Sequence, residues 1–168
     1  MSKEIVNRVA NSGLITIDLS DYAPREPIIE FDVKDFLFEG IILKENLFRD
    51  SLKKFNFSQY EGKKVALFCS ANAIVPMWAY MLISSYLNPL CSGLYFGRKE
   101  TVLQNIILEN IKAIKEKSFE EKKVIIKGCG NTPLSESLYL AITQKLQNSV
   151  SSLMFGEACS AVPVFKKK

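Results

Sequence analysis

The sequence predicts an α/β fold: one domain of three α/β/α layers built on a mostly parallel sheet. Three observations carry the prediction. Short β-branched runs such as "KKVALFC" (63–69) and "KKVIIKG" (122–128) read as buried strands. Helix-period segments such as "KETVLQNIILENIKAIKEK" (99–117) lie between them. The two kinds alternate along the chain, and that order calls for crossover connections between parallel strands with both faces covered.

The elements follow in order. "GLITIDL" (13–19) alternates apolar and polar residues and reads as a strand. "YAPREPIIEFD" (22–32) holds two prolines and reads as a loop or irregular edge. "FEGIILKE" (38–45) reads as a strand, and "NLFRDSLKKF" after it as a short helix with Leu47, Phe48, Leu52 and Phe55 on one face. "KKVALFC" leads to a helix at about 75–87, with Pro76 near its first turn, where proline is tolerated. "LCSGLYFG" (90–97) is the next strand. In the long helix at 99–117, Val102, Leu103, Ile106, Ile107, Ile111 and Ile114 form the inner stripe. After "KKVIIKG", Thr132 reads as the cap and Pro133 as the first residue of the last helix, which runs to about Gln147. "SSLMFGEACSAVPVF" supplies a last strand and a C-terminal extension. The expected layout is a single domain over 1–168, with residues 1–12 as an N-terminal arm and 157–168 as the extension. No internal repeat or low-complexity segment is evident.

Composition narrows the function. The chain has 168 residues, 48% of them apolar and 24% charged, as in ordinary globular domains. The net charge of +4 is mild, and no basic stripe is interleaved with aromatics, so nucleic acid is not an expected partner. The start "MSKEIVNRVANSG" lacks the apolar core of a signal peptide, and "AIVPMWAYMLISSYL" is too short and polar to span a bilayer. A cytoplasmic protein without a membrane partner is therefore expected. In that compartment the four cysteines are free thiols, ligands or redox groups in preference to disulfides. The chain has no histidine. That excludes Ser-His-Asp and Cys-His nucleophile pairs and HExxH zinc sites. No Walker loop or GxGxxG is present.

The strand order places the thiols. Ligands of open α/β sheets bind outside the carboxyl ends of the strands. Cys69 and Cys129 end strands and Cys159 follows the last one, so these three are expected at one rim. Cys91 begins a strand and is expected at the opposite edge. Cys129 is further favoured as a thiolate by the helix N-terminus after it and by Lys127. Three thiolates suit zinc or the irons of a cluster. The fourth position is left open among Asp18, Glu157, water, a substrate or nothing. Two other readings compete. Cysteine is often a small buried hydrophobe. The turn "GCGNTP", with Gly128, Gly130, Asn131 and Thr132, also suits a phosphate or carboxylate at a helix start. The apolar helix "MWAYMLISSYL" reads as a core helix or as a homodimer or docking face of a non-catalytic interaction module.

The segments "EIVNRVANSGLITIDL", "CSANAIVPMWAYML", "VIIKGC" and "GEACSAVPVFK" together resemble an uncharacterised bacterial family, domain of unknown function 2480, across essentially the whole chain. The resemblance implies cysteines of the family pattern at Cys69, Cys129 and Cys159, with Cys91 outside it. It also implies a setting beside the sulfur-mobilisation machinery of iron–sulfur cluster assembly, whose proteins would be the partners. Together with the strand-end argument it favours a metal, cluster or sulfur-handling role, with zinc or an iron–sulfur cluster as the candidate cofactor.

Overall fold

The computed structural model describes residues 13–128 and 130–168. The expected N-terminal arm (1–12) and Cys129 lie outside the described residues. Seven strands and four α-helices are formed among the described residues. The strands are β1 (Leu14–Asp18), β2 (Ile28–Asp32), β3 (Lys64–Phe68), β4 (Gly93–Phe96), β5 (Lys123–Lys127), β6 (Ser152–Phe155) and β7 (Val162–Lys166). The helices are α1 (Glu45–Lys54), α2 (Met77–Leu87), α3 (Lys99–Lys112) and α4 (Glu136–Leu146). The α/β class and the mostly parallel pairing are as expected. The strands divide between two sheets, ordered β2-β3-β4 and β1-β5-β6-β7, and only the β6–β7 pair is antiparallel. None of the described helices is long and apolar enough to cross a membrane.

The chain divides into two compact units. The first combines residues up to Ala23 with Gln104–Lys168; the second is Pro24–Leu103. Contrary to the expectation of no repeat, the two units have the same plan. Three elements of the first unit begin 59 residues after their counterparts in the second: β5 after β3 (123 and 64), α4 after α2 (136 and 77), β6 after β4 (152 and 93). The first strand of each unit pairs in the same register, Ile28 opposite Lys64 and Leu14 opposite Lys123. The connecting hydrogen bonds match as well. Gly97 N donates to Leu67 O at 2.9 Å, and Gly156 N donates to Ile126 O at 3.0 Å. Ser92 N donates to Lys63 O at 2.8 Å, and Ser151 N donates to Lys122 O at 2.9 Å.

Each unit buries one face of its helices together with a strand of its sheet. In the second unit Phe48 and Leu52 of α1, and Ala79, Ile83 and Leu87 of α2, are fully buried with Val65 of β3. In the first, Ile107 and Ile111 of α3, and Leu138, Ile142 and Leu146 of α4, are buried as completely, with Val124 of β5. The spacing of four residues along each helix keeps these side chains on one core-facing stripe.

Several local expectations are corrected. "FEGIILKE" is a tight turn, not a strand: Phe38 N donates to Ile42 O at 2.8 Å, and Glu39 and Gly40 between them have φ of 52° and 70°. Two successive left-handed residues reverse the chain and leave no run to pair. Ile28–Asp32, expected as loop, is a paired strand, because both prolines precede it and neither interrupts its ladder. α3 ends at Lys112, and a 3-10 turn at Glu116–Phe119 follows. α4 begins at Glu136 after Ser135, so Thr132 is not its cap. The Gln104 side chain causes this: its Nε2 donates to Pro133 O at 2.6 Å and its Oε1 accepts from Ser135 N at 3.0 Å, pinning the Thr-Pro segment as loop. The C-terminal extension carries β7.

Candidate functional site

The carboxyl ends of the parallel strands in each unit collect the polar side chains that the sequence singles out. In the second unit β2 ends in Asp32, which caps the 3-10 turn after it. Its Oδ1 accepts the Lys34 amide at 3.0 Å and the Ser70 amide at 2.9 Å. Burial alone would raise the Asp32 pKa. Hydrogen bonds from the Ser70 hydroxyl and amide and from the Lys34 amide, with the Lys34 charge, outweigh it and hold the carboxyl below its ordinary range. Cys69, one residue past β3, is half-buried, and its Sγ lies 3.7 Å from Ala71 O, to which it donates. Burial, and then the neighbouring Cys69 and Asp32, push the Tyr80 phenol up. The Arg98 guanidinium, just beyond β4, lies over the Phe68 ring at 4.6 Å.

The lowered Asp32 pKa fixes a pH dependence. A carboxyl whose folded pKa is depressed contributes stability above its unfolded pKa, and that contribution is lost as pH falls through the folded value. Asp32→Ala should cost about 0.5–2 kcal/mol at neutral pH, the usual worth of a capping side chain. The cost should shrink well below the ordinary aspartate pKa of about 3.9. Denaturant titrations of wild type and variant at neutral and strongly acidic pH measure both; an equal cost at the two would refute the charged cap.

In the first unit β1 ends in Asp18, at the position of Asp32. Its Oδ1 accepts the Ser20 amide at 3.0 Å and the Ser20 hydroxyl at 2.6 Å. Its Oδ2 lies 3.8 Å from Lys127 Nζ at the end of β5, and Glu157 Oε1 lies 3.5 Å from the same nitrogen. Lys127 therefore stands between two carboxylates. Asp18 and Glu157 are the two side chains offered above as a fourth ligand; Cys129, beside which the sequence places the Lys127 charge, lies outside the described residues. Cys159 is exposed in the turn between β6 and β7, with its Sγ 4.0 Å from Ser160 Oγ. Gly156, with φ of 110°, opens that turn, and Ser160 N donates to Glu157 O at 2.9 Å to close it.

The "GCGNTP" turn has a packing reason for its first glycine. A Cβ on Gly128 would collide with the Tyr139 hydroxyl and with Leu134 Cδ1. Gly130 has φ of 120°, Asn131 is exposed, and Thr132 is half-buried. The α4 N-terminus lies beyond this turn and carries Glu136 in its first turn. Cys91 precedes β4 by two residues, its amide bonded to Leu87 O at 2.9 Å, and it packs on the core of the second unit. It thus stands at the amino end of β4, whereas Cys69 stands at the carboxyl end of β3. Among the described residues no three Cys, Asp or Glu side chains converge as a metal site would require.

Two features at these edges escaped the sequence reading. Tyr80 and Tyr139 occupy equivalent positions and pack edge-on against the equivalent Phe96 and Phe155, with ring centroids 5.5 and 5.7 Å apart. Each pair borders a cleft. The one in the first unit, about 520 Å³, is lined by Ile126, Tyr139, Leu140, Phe155 and Val164. The one in the second, about 540 Å³, is lined by Leu67, Tyr80, Met81, Leu94 and Phe96. The signal was the shared "YxxI" spacing of α2 and α4 ahead of "LYFG" and "LMFG".

No curated protein and no solved structure matches the chain. One family model matches residues 3–167, and the chain belongs to the family it describes, protein of unknown function (DUF2480).

Proposed function

We propose that the protein handles sulfur or a soft metal through Cys69, Cys129 and Cys159, as a zinc or iron–sulfur protein or as a persulfide carrier. One observation carries this reading: each of the three thiols follows the carboxyl end of a parallel strand in sequence, after β3, β5 and β6, whereas Cys91 precedes β4. Ligands of such sheets gather at carboxyl ends. The donor chemistry fits, since thiolates without imidazole select soft metals and clusters. When bound, such a metal would be held by these thiolates; the Asp18–Lys127–Glu157 cluster would hold charge balance at the edge of the first unit. The reading includes a cytoplasmic setting and iron–sulfur assembly proteins as partners.

The small-anion reading of Gly128, Gly130, Asn131 and Thr132 has less support. The α4 amides begin beyond that turn, and Glu136 places a negative charge where an anion would bind.

Metal and sulfane-sulfur analysis of anaerobically purified protein tests the proposal. Wild type should carry stoichiometric metal, cluster or sulfane sulfur. Cys69→Ser, Cys129→Ser and Cys159→Ser should each lose most of it, and Cys91→Ser should keep it. A wild type free of all three, or a Cys91→Ser loss as large as the others, would overturn it.

A further inference from the structure

The two units differ at one place that their shared plan makes visible. In the first, β7 covers the outer edge of β6, running antiparallel, with Leu153 opposite Phe165 and Phe155 opposite Val162. In the second, the equivalent strand β4 is the last of its sheet among the described residues. Gly97 N donates toward β3, so by strand alternation the backbone groups of Leu94 and Phe96 face away from it. These are the counterparts of Leu153 and Phe155.

An uncovered edge is a template for pairing, and proteins blunt such edges with proline or charge. The outer edge of the first unit is blunted in this way: β7 holds Pro163 and runs into Lys166, Lys167 and Lys168. β4, "GLYF", has neither device. The adjoining helix α2, "MWAYMLISSYL", has no charge along its whole length. Its outer side leaves Met77 72% and Met81 71% exposed, and Phe96 at the end of β4 is 69% exposed. The cleft between them is lined by no charged residue.

We propose that the β4 edge pairs antiparallel with β4 of a second copy of this chain, joining two three-stranded sheets into one. Leu94 of each copy lies opposite Phe96 of the other, as Leu153 and Phe155 lie opposite β7, and the exposed faces of α2 close over the seam. The absence of charge selects a second copy as the occupant. A two-fold interface sets each patch against itself, so any charge near the axis meets its own like charge. A surface with none is self-complementary, and it offers a charged foreign segment no anchor. The proposal does not depend on the thiols, so it stands or falls apart from the reading above.

Sedimentation velocity at high micromolar concentration tests it. Wild type should sediment at twice the 19.0 kDa chain mass. Phe96→Lys, at the exposed end of the edge, and Met81→Glu, which leaves the strand untouched, should each weaken the dimer by about tenfold or more with an unchanged far-UV spectrum. Val164→Lys on β7 should leave it intact. The proposal is overturned if wild type is a monomer, if Phe96→Lys or Met81→Glu remains fully dimeric, or if Val164→Lys dissociates the dimer. A monomer that instead binds a synthetic peptide of residues 161–168 would assign the edge to a foreign strand and overturn it equally.

Discussion

Phe31→Ala should destabilise the second unit by about 3–5 kcal/mol, the range for removing a fully buried phenylalanine. Phe31, the fourth of the five residues of β2, is 1% exposed. Its ring stacks on Phe36 at 5.0 Å and on Phe57 at 6.1 Å, and it meets Phe55 at 5.8 Å and Tyr60 at 5.6 Å. Phe55 also meets each of the other three rings, so they cannot collapse into the vacated space without breaking those contacts. Against a domain stability of about 5–15 kcal/mol, the loss is a large share of the total. The chain's one tryptophan, Trp78, packs on Phe48 at 5.8 Å in the same unit, so its fluorescence follows this unfolding directly. A urea midpoint shift worth less than about 1 kcal/mol would mean that the cluster relaxes and that Phe31 is not its centre.

That aromatic cluster also explains why the repeat was not legible. The positions of Phe31, Phe48 and Phe55 are held in the first unit by Ile17, Ile107 and Ile114. Burial needs an apolar side chain of fitting volume and not a particular one, so two cores can share a backbone plan while their sequences diverge. The strands β3 and β5 were legible because both are buried on each side and read as continuous apolar runs. β2 was not, because Pro24 and Pro27 look like breakers until it is known that the strand starts after them. The start of α4 turned on Gln104, some thirty residues away, and no local signal carries a contact of that kind.

The candidate site divides the same way. That Cys69 and Cys159 follow strands, and that Cys91 precedes one, came straight from periodicity, because a thiol's place at a strand end is a local property. The ion-pair partners of Lys127 were not local. Asp18 and Glu157 are brought to its ammonium from β1 and from beyond β6. The equivalent pair in the second unit, Phe68 and Arg98, meets as a cation over a ring. The repeat therefore keeps a contact between these two positions and changes its chemistry, which spacing alone cannot reveal.

The turn that carries Cys159 should be the more sensitive of the two equivalent turns to a single methyl group. Gly156 and Gly97 have φ of 110° and 129°, a region that residues with a Cβ rarely adopt. Both amides are committed to the central strand, to Ile126 O and Leu67 O. Alanine at either position should therefore cost about 1–3 kcal/mol if the backbone holds. If the backbone yields instead, the hydrogen bond to the strand is lost and the residues after it move. At Gly97 the yielding segment enters α3 at once, and its helical bonds resist displacement: Val102 N donates to Arg98 O at 2.9 Å. At Gly156 the segment is a short turn held by Ser160 N on Glu157 O, so Gly156→Ala should relieve its strain by moving Glu157 and Cys159. The expected result is a large change in the rate at which a thiol reagent labels Cys159 in Gly156→Ala, with Cys69 and Cys91 unaltered. Gly97→Ala should lose stability while all three label as in wild type. Gly13→Ala, at φ of 62° with open space around the added methyl, is the reference for a tolerated left-handed glycine and should cost less than either. If Gly156→Ala matches Gly13→Ala in stability and leaves Cys159 labelling unchanged, the turn does not position that thiol.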